Sequence, residues 1–188
     1  MAVKSIRNGG VVVFPTDTVY GLGCDPYNVE AIKKIYKIKK RESSKSFPIL
    51  AYSKKDLSDI VVFDEKSKKI AEKYWPGQVT LVLKLKDEKI KKSMNIQSKI
   101  AVRVPNNNCA LALLEKCKLL VGTSANISGI HSFTNPDDCL KNISGYDVFV
   151  DSGTITSSGE STIVEVSNGK LTVHREGAIS RMEIMKLF

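Results

Sequence analysis

Three segments of the chain combine small hydroxyl residues with glycine, and each lies beside a predicted strand. They are residues 16–23, 122–129 and 157–162. Hydroxyls and backbone N–H groups in such segments can approach an anion closely, so they predict a site for a ligand with phosphate or carboxylate groups. The sequence has no P-loop pattern, and no G-x-G-x-x-G follows a predicted strand, which excludes two common nucleotide-binding motifs.

Positive charge is concentrated in the first part of the chain. Residues 1–100 hold 21 basic and 11 acidic side chains, whereas residues 101–188 hold 8 and 9. Lys39, Arg41 and Lys45 lie at or just after the predicted end of a helix, where the helix dipole also stabilises cations. These residues are therefore candidates for an anion site, with a purely structural role as the alternative.

Two arginines belong to predicted strands. Arg103 interrupts the apolar sequence AVRVP at residues 101–105, and Arg175 ends the last predicted strand. A guanidinium there has to face a polar surface or a buried anion, because burying an unpaired charge is costly. Each of these arginines is therefore a better ligand candidate than any single lysine of the helix.

The composition excludes several classes of protein. The chain has 188 residues, of which 42% are hydrophobic and 26% charged, and its net charge is +9, as is typical of a globular protein. Its two histidines and four cysteines form no zinc pattern. The N-terminus has no apolar segment typical of a secretory signal, and no apolar run approaches the ~20 residues that span a bilayer. We therefore expect a cytoplasmic protein with reduced thiols and no membrane contact.

Strands and helices are interleaved without a break in composition, which predicts one α/β (α+β) domain around a mixed sheet. Strands are predicted at residues 11–14, 47–52, 79–85, 100–104, 119–121, 147–150, 162–166 and 171–174. Helices are predicted from Asn28 to near Arg41, after Asp64, over residues 109–117, after Pro136 and after Ser180. Pro48 predicts a strand that is short or at the sheet edge, residues 16–23 are predicted as a loop, and Asn168-Gly169 predicts a hairpin.

Seven segments follow one another in the order typical of one protein family. They read FPTDTVYGLGCD (residues 14–25), KKR (39–41), WPGQVTLV (75–82), AVRVP (101–105), TSANISG (123–129), STI (161–163) and REGAI (175–179). This series resembles the signature of the YrdC-like family, the threonylcarbamoyl-AMP synthases. The resemblance extends from about residue 11 to residue 179, nearly the whole chain.

The resemblance implies a fold and a reaction. The fold is a YrdC-like twisted open mixed sheet with flanking helices and a concave basic cavity, and residues 1–188 are expected to form a single domain, as in the short members. The reaction joins L-threonine, bicarbonate and ATP into L-threonylcarbamoyl-AMP and releases pyrophosphate. Mg²⁺ is expected to enter with ATP rather than on protein ligands. A tRNA threonylcarbamoyl transferase complex would use the product to modify adenosine 37 of tRNA, and weak tRNA binding is also expected.

The resemblance also implies roles for individual residues. ATP is expected to contact Lys39, Arg41, Lys45, Ser124, Asn126, Ser132 and Arg175, of which Lys39 and Arg41 would stabilise charge. Threonine or its carbamate is expected to contact Thr18, Arg103, Gly122 and Ser161. Leu50 stands where many members have a histidine, so that contact with threonine is not expected here.

Two alternatives stay open at this point. An RNA-binding module of the same fold would use its basic face for the backbone of tRNA or ribosomal RNA. A relative of the YrdC-like segment of hydrogenase maturation factors would handle another carbamoyl adenylate, but the acylphosphatase and zinc-finger segments that accompany it are not in this sequence. The synthase is favoured, because forming a carbamoyl adenylate needs positioned cations more than a histidine base.

Overall fold

One mixed sheet of ten strands forms the centre of the protein in a computed structural model, which describes residues 1–157, 159–167 and 169–187. The strands are β1 (Val12–Pro15), β2 (Tyr20–Cys24), β3 (Ile49–Ala51), β4 (Val61–Val62), β5 (Val79–Leu85), β6 (Lys99–Arg103), β7 (Leu119–Ser124), β8 (Val148–Phe149), β9 (Thr162–Ser167) and β10 (Lys170–Arg175). Their order is β10-β9-β5-β6-β3-β7-β2-β1-β8, and β4 pairs with β5. The predicted mixed sheet is confirmed, since β5 is parallel to β9 and antiparallel to β6.

Eight helices flank this sheet in the described ranges. They are α1 (Ala2–Arg7), α2 (Val29–Lys39), α3 (Lys54–Ser58), α4 (Glu65–Tyr74), α5 (Glu88–Met94), α6 (Asn108–Cys117), α7 (Pro136–Asn142) and α8 (Arg181–Met185). The predicted caps are confirmed, because Asn28 Oδ1 accepts from the backbone N–H of Ala31 and Asp64 forms a capping box with Ser67. Over the residues that the structure describes, no helix is both long and apolar enough to cross a membrane.

The two faces of the sheet are covered differently. On one face, alternate strand residues such as Leu22, Leu81 and Val102 form the main core with Ile35 of α2 and Ile70 of α4. On the other face, α1 and α6 cover only a part of the sheet, where a second cluster forms. This second cluster contains Ala2, Ile6, Val12, Phe14, Leu50, Ala110, Leu113, Leu114 and Leu120. The same face carries the cavity described below.

Residues 20–24 correct the prediction of a loop over residues 16–23, because they form strand β2. Tyr20, Leu22 and Cys24 face the main core, and the glycines between them face the other side. A Cβ on Gly23 would lie 2.7 Å from Phe14 Cε1 and 2.8 Å from the carbonyl oxygen of Val121. Close packing therefore requires glycine at this position of the strand. The same residue is common in loops, which is why the sequence predicted a loop here.

Strand β3, helix α1 and the final hairpin also bear on the predictions. Strand β3 is three residues long, as Pro48 predicts, but it lies between β6 and β7 and not at an edge. Helix α1 is too short and too close to the terminus to produce a periodic pattern. Strands β9 and β10 pair antiparallel as predicted, although Asn168 of the predicted turn lies outside the described residues.

Candidate active site

A cavity of about 240 Å³ lies on the second face of the sheet. Its floor consists of residues that alternate with core residues along neighbouring strands. These floor residues include Gly21 of β2, Thr80 of β5, Ala101 of β6, Gly122 of β7 and Ile163 of β9. Because every second residue of a strand faces the same side, the small residues Gly21, Ala101 and Gly122 leave space above the sheet.

Arg103 is fixed at the wall of this cavity by three contacts. Its Nε donates to the Gly77 carbonyl at 2.8 Å, its Nη1 to Thr18 Oγ1 at 3.2 Å, and its Nη2 to Asp17 Oδ1 at 2.6 Å. The Arg103 and Asp17 side chains are only 6% and 10% exposed. Burial lowers the pKa of Arg103 from its usual value, and the Asp17 carboxylate opposes that change. Asp17 Oδ2 has no hydrogen-bond partner among the described residues.

Four buried hydroxyls extend the polar wall beyond Arg103. Thr16 and Thr18 share a hydrogen bond of 2.9 Å, and Thr80 and Ser161 share another of 2.9 Å. All four residues line the cavity although little of their surface is exposed. Since a hydroxyl can both donate and accept, this wall can bind a small polar ligand with carboxylate or amine groups.

Arg41 lines the cavity from the segment that follows α2. Its Nε donates to the carbonyl of Lys45 at 3.0 Å and its Nη2 to the carbonyl of Ser46 at 3.2 Å. The guanidinium lies 5.1 Å from the centroid of the Phe47 ring, within the range of a cation–π interaction. These contacts hold Arg41 against the cavity without an acidic partner among them.

Arg175 reaches the cavity from the end of β10. Its Nε and Nη2 donate to the carbonyl of Ser161 at 3.1 Å and 2.9 Å, and its Nη1 forms an ion pair with Glu160 Oε2. The other carboxylate oxygen of Glu160 accepts a hydrogen bond from Ser132 Oγ. Ser132 is therefore connected to the cavity through Glu160, which lines it, and does not itself belong to the lining.

Lys39 lies in the interior and does not line the cavity, which differs from the predicted ATP contact. It is 2% exposed, and its Nζ donates to the carbonyls of Ser124 and Asn126 at 2.6 Å and 2.8 Å and to Asn126 Oδ1 at 2.9 Å. Burial and the nearby Arg41 lower the pKa of Lys39 to about 8, while Glu160 opposes this shift. Lys39 therefore holds the segment that follows β7 against the end of α2.

The structure thus separates the predicted site residues into two groups. The cavity lining includes Thr18, Arg41, Arg103, Gly122, Ser124, Ser161 and Arg175. Outside the lining are Lys39, Lys45, Asn126 and Ser132. The Lys45 side chain is 66% exposed, with Nζ 3.8 Å from Glu42 Oε2. Asn126 Oδ1 accepts from Ser124 Oγ at 2.6 Å, so Asn126 shapes the segment that presents Ser124.

Several lining residues, among them Thr16, Thr80 and Glu160, were not predicted as ligands from the sequence. Thr16 and Glu160 lie inside the hydroxyl-rich segments, and Thr80 lies inside the WPGQVTLV motif. Their segments were recognisable, whereas their individual positions depend on which side of the sheet each one faces. The alternation of Val79 and Leu81 with Thr80 was the one available signal, because it places the threonine opposite the core.

Leu50 and Gly122 shape the wall together. Leu50 lines the cavity and also packs into the cluster under α1 and α6. A Cβ on Gly122 would lie 2.4 Å from Leu50 Cγ and 2.5 Å from its Cδ1. The glycine therefore leaves room for the leucine, and this apolar pair bounds the space beside the hydroxyls.

Comparisons with known proteins identify the family of this chain. The family model Sua5/YciO/YrdC, described as "Telomere recombination", matches residues 4–177. The chain belongs to the Sua5/YciO/YrdC family. The predicted membership of the YrdC-like family and the predicted fold class are therefore confirmed. The cavity lies in a Sua5/YciO/YrdC fold.

Three members of the Sua5/YciO/YrdC family illustrate the similarity. A protein of Methanocaldococcus jannaschii is 34% identical over 94% of this chain and 84% of its own length. The threonylcarbamoyl-AMP synthase of Bacillus subtilis is 32% identical over 97% of this chain and 54% of its own. The structure of Pyrococcus abyssi Sua5 complexed with L-threonine is 32% identical, with a TM-score of 0.92, over 99% of this chain and 56% of that one. This chain thus spans about half the length of the Bacillus and Pyrococcus proteins.

Asp17→Asn is expected to lower the free energy of unfolding by about 3 kcal/mol, because it leaves the buried Arg103 charge uncompensated. The double variant Asp17→Asn/Arg103→Met removes both charges and should lose clearly less than the sum of the two single variants. Urea denaturation of the four proteins measures this coupling. Losses that simply add would show that the pair does not act as one unit.

Lys39→Met tests the interior position of Lys39. A lysine whose pKa is about 8 when folded and about 10.4 when unfolded binds fewer protons in the folded state between these values. The stability of the native protein relative to Lys39→Met should therefore rise by up to about 3 kcal/mol from pH 8 to pH 10.5. Denaturation at several pH values measures the difference, and Lys37→Met, at an exposed position of the same helix, is the control. A pH-independent difference for Lys39→Met would contradict its interior burial.

Gly122→Ala should narrow the cavity, because the new Cβ displaces the Leu50 side chain. We expect the free energy of unfolding to fall by about 1–3 kcal/mol, the usual cost of overpacking. Urea denaturation measures the loss. Gly122→Ala/Leu50→Ala, which removes the clash, should lose less than the sum of the two single variants, and losses that simply add would argue against this contact.

Proposed function

We propose that this chain is a threonylcarbamoyl-AMP synthase, which makes L-threonylcarbamoyl-AMP and pyrophosphate from L-threonine, bicarbonate and ATP. The observation that carries the proposal is the cavity in which Arg103, Thr18 and Ser161 are combined with Arg41 and Arg175. It supports binding of an amino acid and a polyphosphate side by side. Homologues named threonylcarbamoyl-AMP synthase at about one-third identity support the same reaction.

The proposed reaction proceeds through a carbamate. The neutral amine of threonine attacks the carbon of bicarbonate, and water leaves as the N–C bond forms. A carbamate oxygen then attacks the α-phosphorus of ATP, and the bond to the bridging oxygen breaks to release pyrophosphate. Such a transfer depends mainly on positioning and on neutralising phosphate charge, so a cavity of arginines and hydroxyls is suited to it.

Arg103 is assigned to the carboxylate of threonine. A guanidinium has five N–H donors, and three contacts hold Arg103 in place, which leaves donors for a carboxylate in a planar fork. Thr18 and Ser161 would bind the amine, the hydroxyl or the carbamate, and Gly122 with Leu50 would bound the side chain. The pocket would therefore accept a small amino acid with a polar group.

Arg41, Arg175 and Ser124 are assigned to the phosphates of ATP, because all three line the cavity. Lys39 and Asn126 would act by holding the segment that presents Ser124. Lys45 would position Arg41 through its backbone carbonyl, and Ser132 would join the phosphate contacts from beside Glu160. These assignments keep the predicted ATP residues but divide them into direct and positioning roles.

Mg²⁺ is proposed to enter with ATP. Phosphate oxygens and water would supply most of its ligands, as is usual for nucleotide-bound Mg²⁺. The ion would neutralise phosphate charge. The product would pass to a tRNA threonylcarbamoyl transferase complex in the cytoplasm. This chain would itself contact tRNA only weakly. Residues 1–188 would act as one catalytic domain.

The test is to incubate the purified chain with L-threonine, labelled bicarbonate, ATP and Mg²⁺. We expect pyrophosphate release and a labelled adenylate that both require threonine and bicarbonate. Arg41→Ala should lower kcat/KM by about 100-fold or more, as the loss of one charge-stabilising donor does, with little change in stability. Lys66→Ala, outside the cavity lining, should keep the native rate.

Two results would contradict the proposal. One is pyrophosphate release that does not depend on threonine. The other is no release at all together with tRNA binding whose affinity falls steeply with salt, which would favour the RNA-binding alternative.

A further inference from the structure

Glu160 is an acidic residue in a cavity that is otherwise lined by arginines, hydroxyls and apolar groups. Both of its carboxylate oxygens are engaged, Oε1 by Ser132 Oγ and Oε2 by Arg175 Nη1. The Glu160 side chain is 35% exposed and that of Arg175 is 40% exposed. The carboxylate therefore occupies two donors that a phosphate group would also need, at a position that solvent and ligands can reach.

The backbone around Glu160 is fixed, so that its side chain is the part that can move. Its carbonyl accepts from the backbone N–H of Ala178 at 2.9 Å. A Cβ on Gly177 would lie 2.1 Å from the same carbonyl oxygen, which shows how closely the two backbone segments approach. A change of partner for the carboxylate therefore takes place by rotation of the side chain.

Charge makes such a change expected. Arg41 and Arg175 line the cavity with Glu160, and Lys39 lies close enough for Glu160 to influence its titration. Without a ligand, one carboxylate partly balances these cations. A triphosphate would bring several negative charges into the same space, and like charges a few ångströms apart repel strongly where water is partly excluded.

We propose that Glu160 is a surrogate anion, which holds Ser132 and Arg175 in the absence of nucleotide and is displaced from them by the phosphates of ATP. This inference rests on the proposed function, because it assigns both donors to ATP. It adds a residue that sets polyphosphate affinity without taking part in bond making or breaking. After the reaction the Glu160 carboxylate competes with pyrophosphate for Ser132 and Arg175. It therefore also favours the departure of pyrophosphate.

Glu160→Gln tests the inference, since it keeps the shape of the side chain and removes its charge. We expect the Kd values of ATP and of tripolyphosphate to fall at least about fivefold, because the competing charge is absent, while the Kd of L-threonine stays the same. Calorimetric titration of the full chain with each ligand alone measures these values. Glu160→Ala provides a second variant with the same expected direction, and circular dichroism checks that both fold.

Glu42→Gln is the matched control. It removes one negative charge near Arg41, but the Glu42 carboxylate forms an exposed ion pair with Lys45 and contacts neither Ser132 nor Arg175. Its ATP affinity should change less than twofold. An equal gain in Glu42→Gln and Glu160→Gln would overturn the inference, because it would reduce the effect to net charge.

Two further outcomes are decisive. In the first, the native protein binds ATP and makes product, but Glu160→Gln binds ATP more weakly than the native protein does. This result would overturn the surrogate-anion role alone, and would show that Glu160 supports Arg175 during binding. A native protein that binds neither ATP nor tripolyphosphate would overturn the proposed function and this inference with it. The binding titrations and the synthesis assay together distinguish these cases.

Discussion

The buried ion pair between Asp17 and Arg103 is the interaction on which the arrangement of the cavity depends. Its partners come from separate segments, since Asp17 and Thr18 follow β1, Gly77 precedes β5 and Arg103 ends β6. Desolvation of two charges is repaid only when geometry and hydrogen bonds are good. The pair therefore requires these segments to meet in one arrangement. In that arrangement the Arg103 guanidinium is held rigidly at the wall of the cavity.

The sheet supplies both stability and a binding site because its two faces are used differently. Apolar residues on one face pack under the helices into a continuous core. On the other face, α1 and α6 cover one region, and small residues such as Ala101 and Gly122 leave the neighbouring region open. Since strand residues alternate between faces, a single strand such as β6 contributes Val102 to the core and Arg103 to the cavity. Folding and ligand binding are thus connected through the register of the same strands.

The positive charge of the chain has several distinct uses. In residues 33–45, Arg41 lines the cavity, Lys39 holds a neighbouring segment from the interior, and Lys33 and Lys45 form exposed ion pairs. Exposed pairs of this kind contribute little to stability. Arg103 and Arg175, which belong to the nearly neutral second part of the chain, both line the cavity. Net charge therefore predicts an anionic ligand, but it does not indicate which of the cations line the cavity.

The sequence by itself determined the family, the mixed sheet and the caps at Asn28 and Asp64, because these follow from ordered motifs, local periodicity and residue types. Tertiary structure alone decided where the charged side chains of those motifs point. Lys39 and Arg41 are two residues apart, yet one is interior and the other lines the cavity, because carbonyls from Ser124 and Asn126, more than 80 residues away in the chain, surround the lysine. Glu160 gained its partners in the same way, through Ser132 and Arg175. Contacts between distant segments set these orientations, and no local pattern records them.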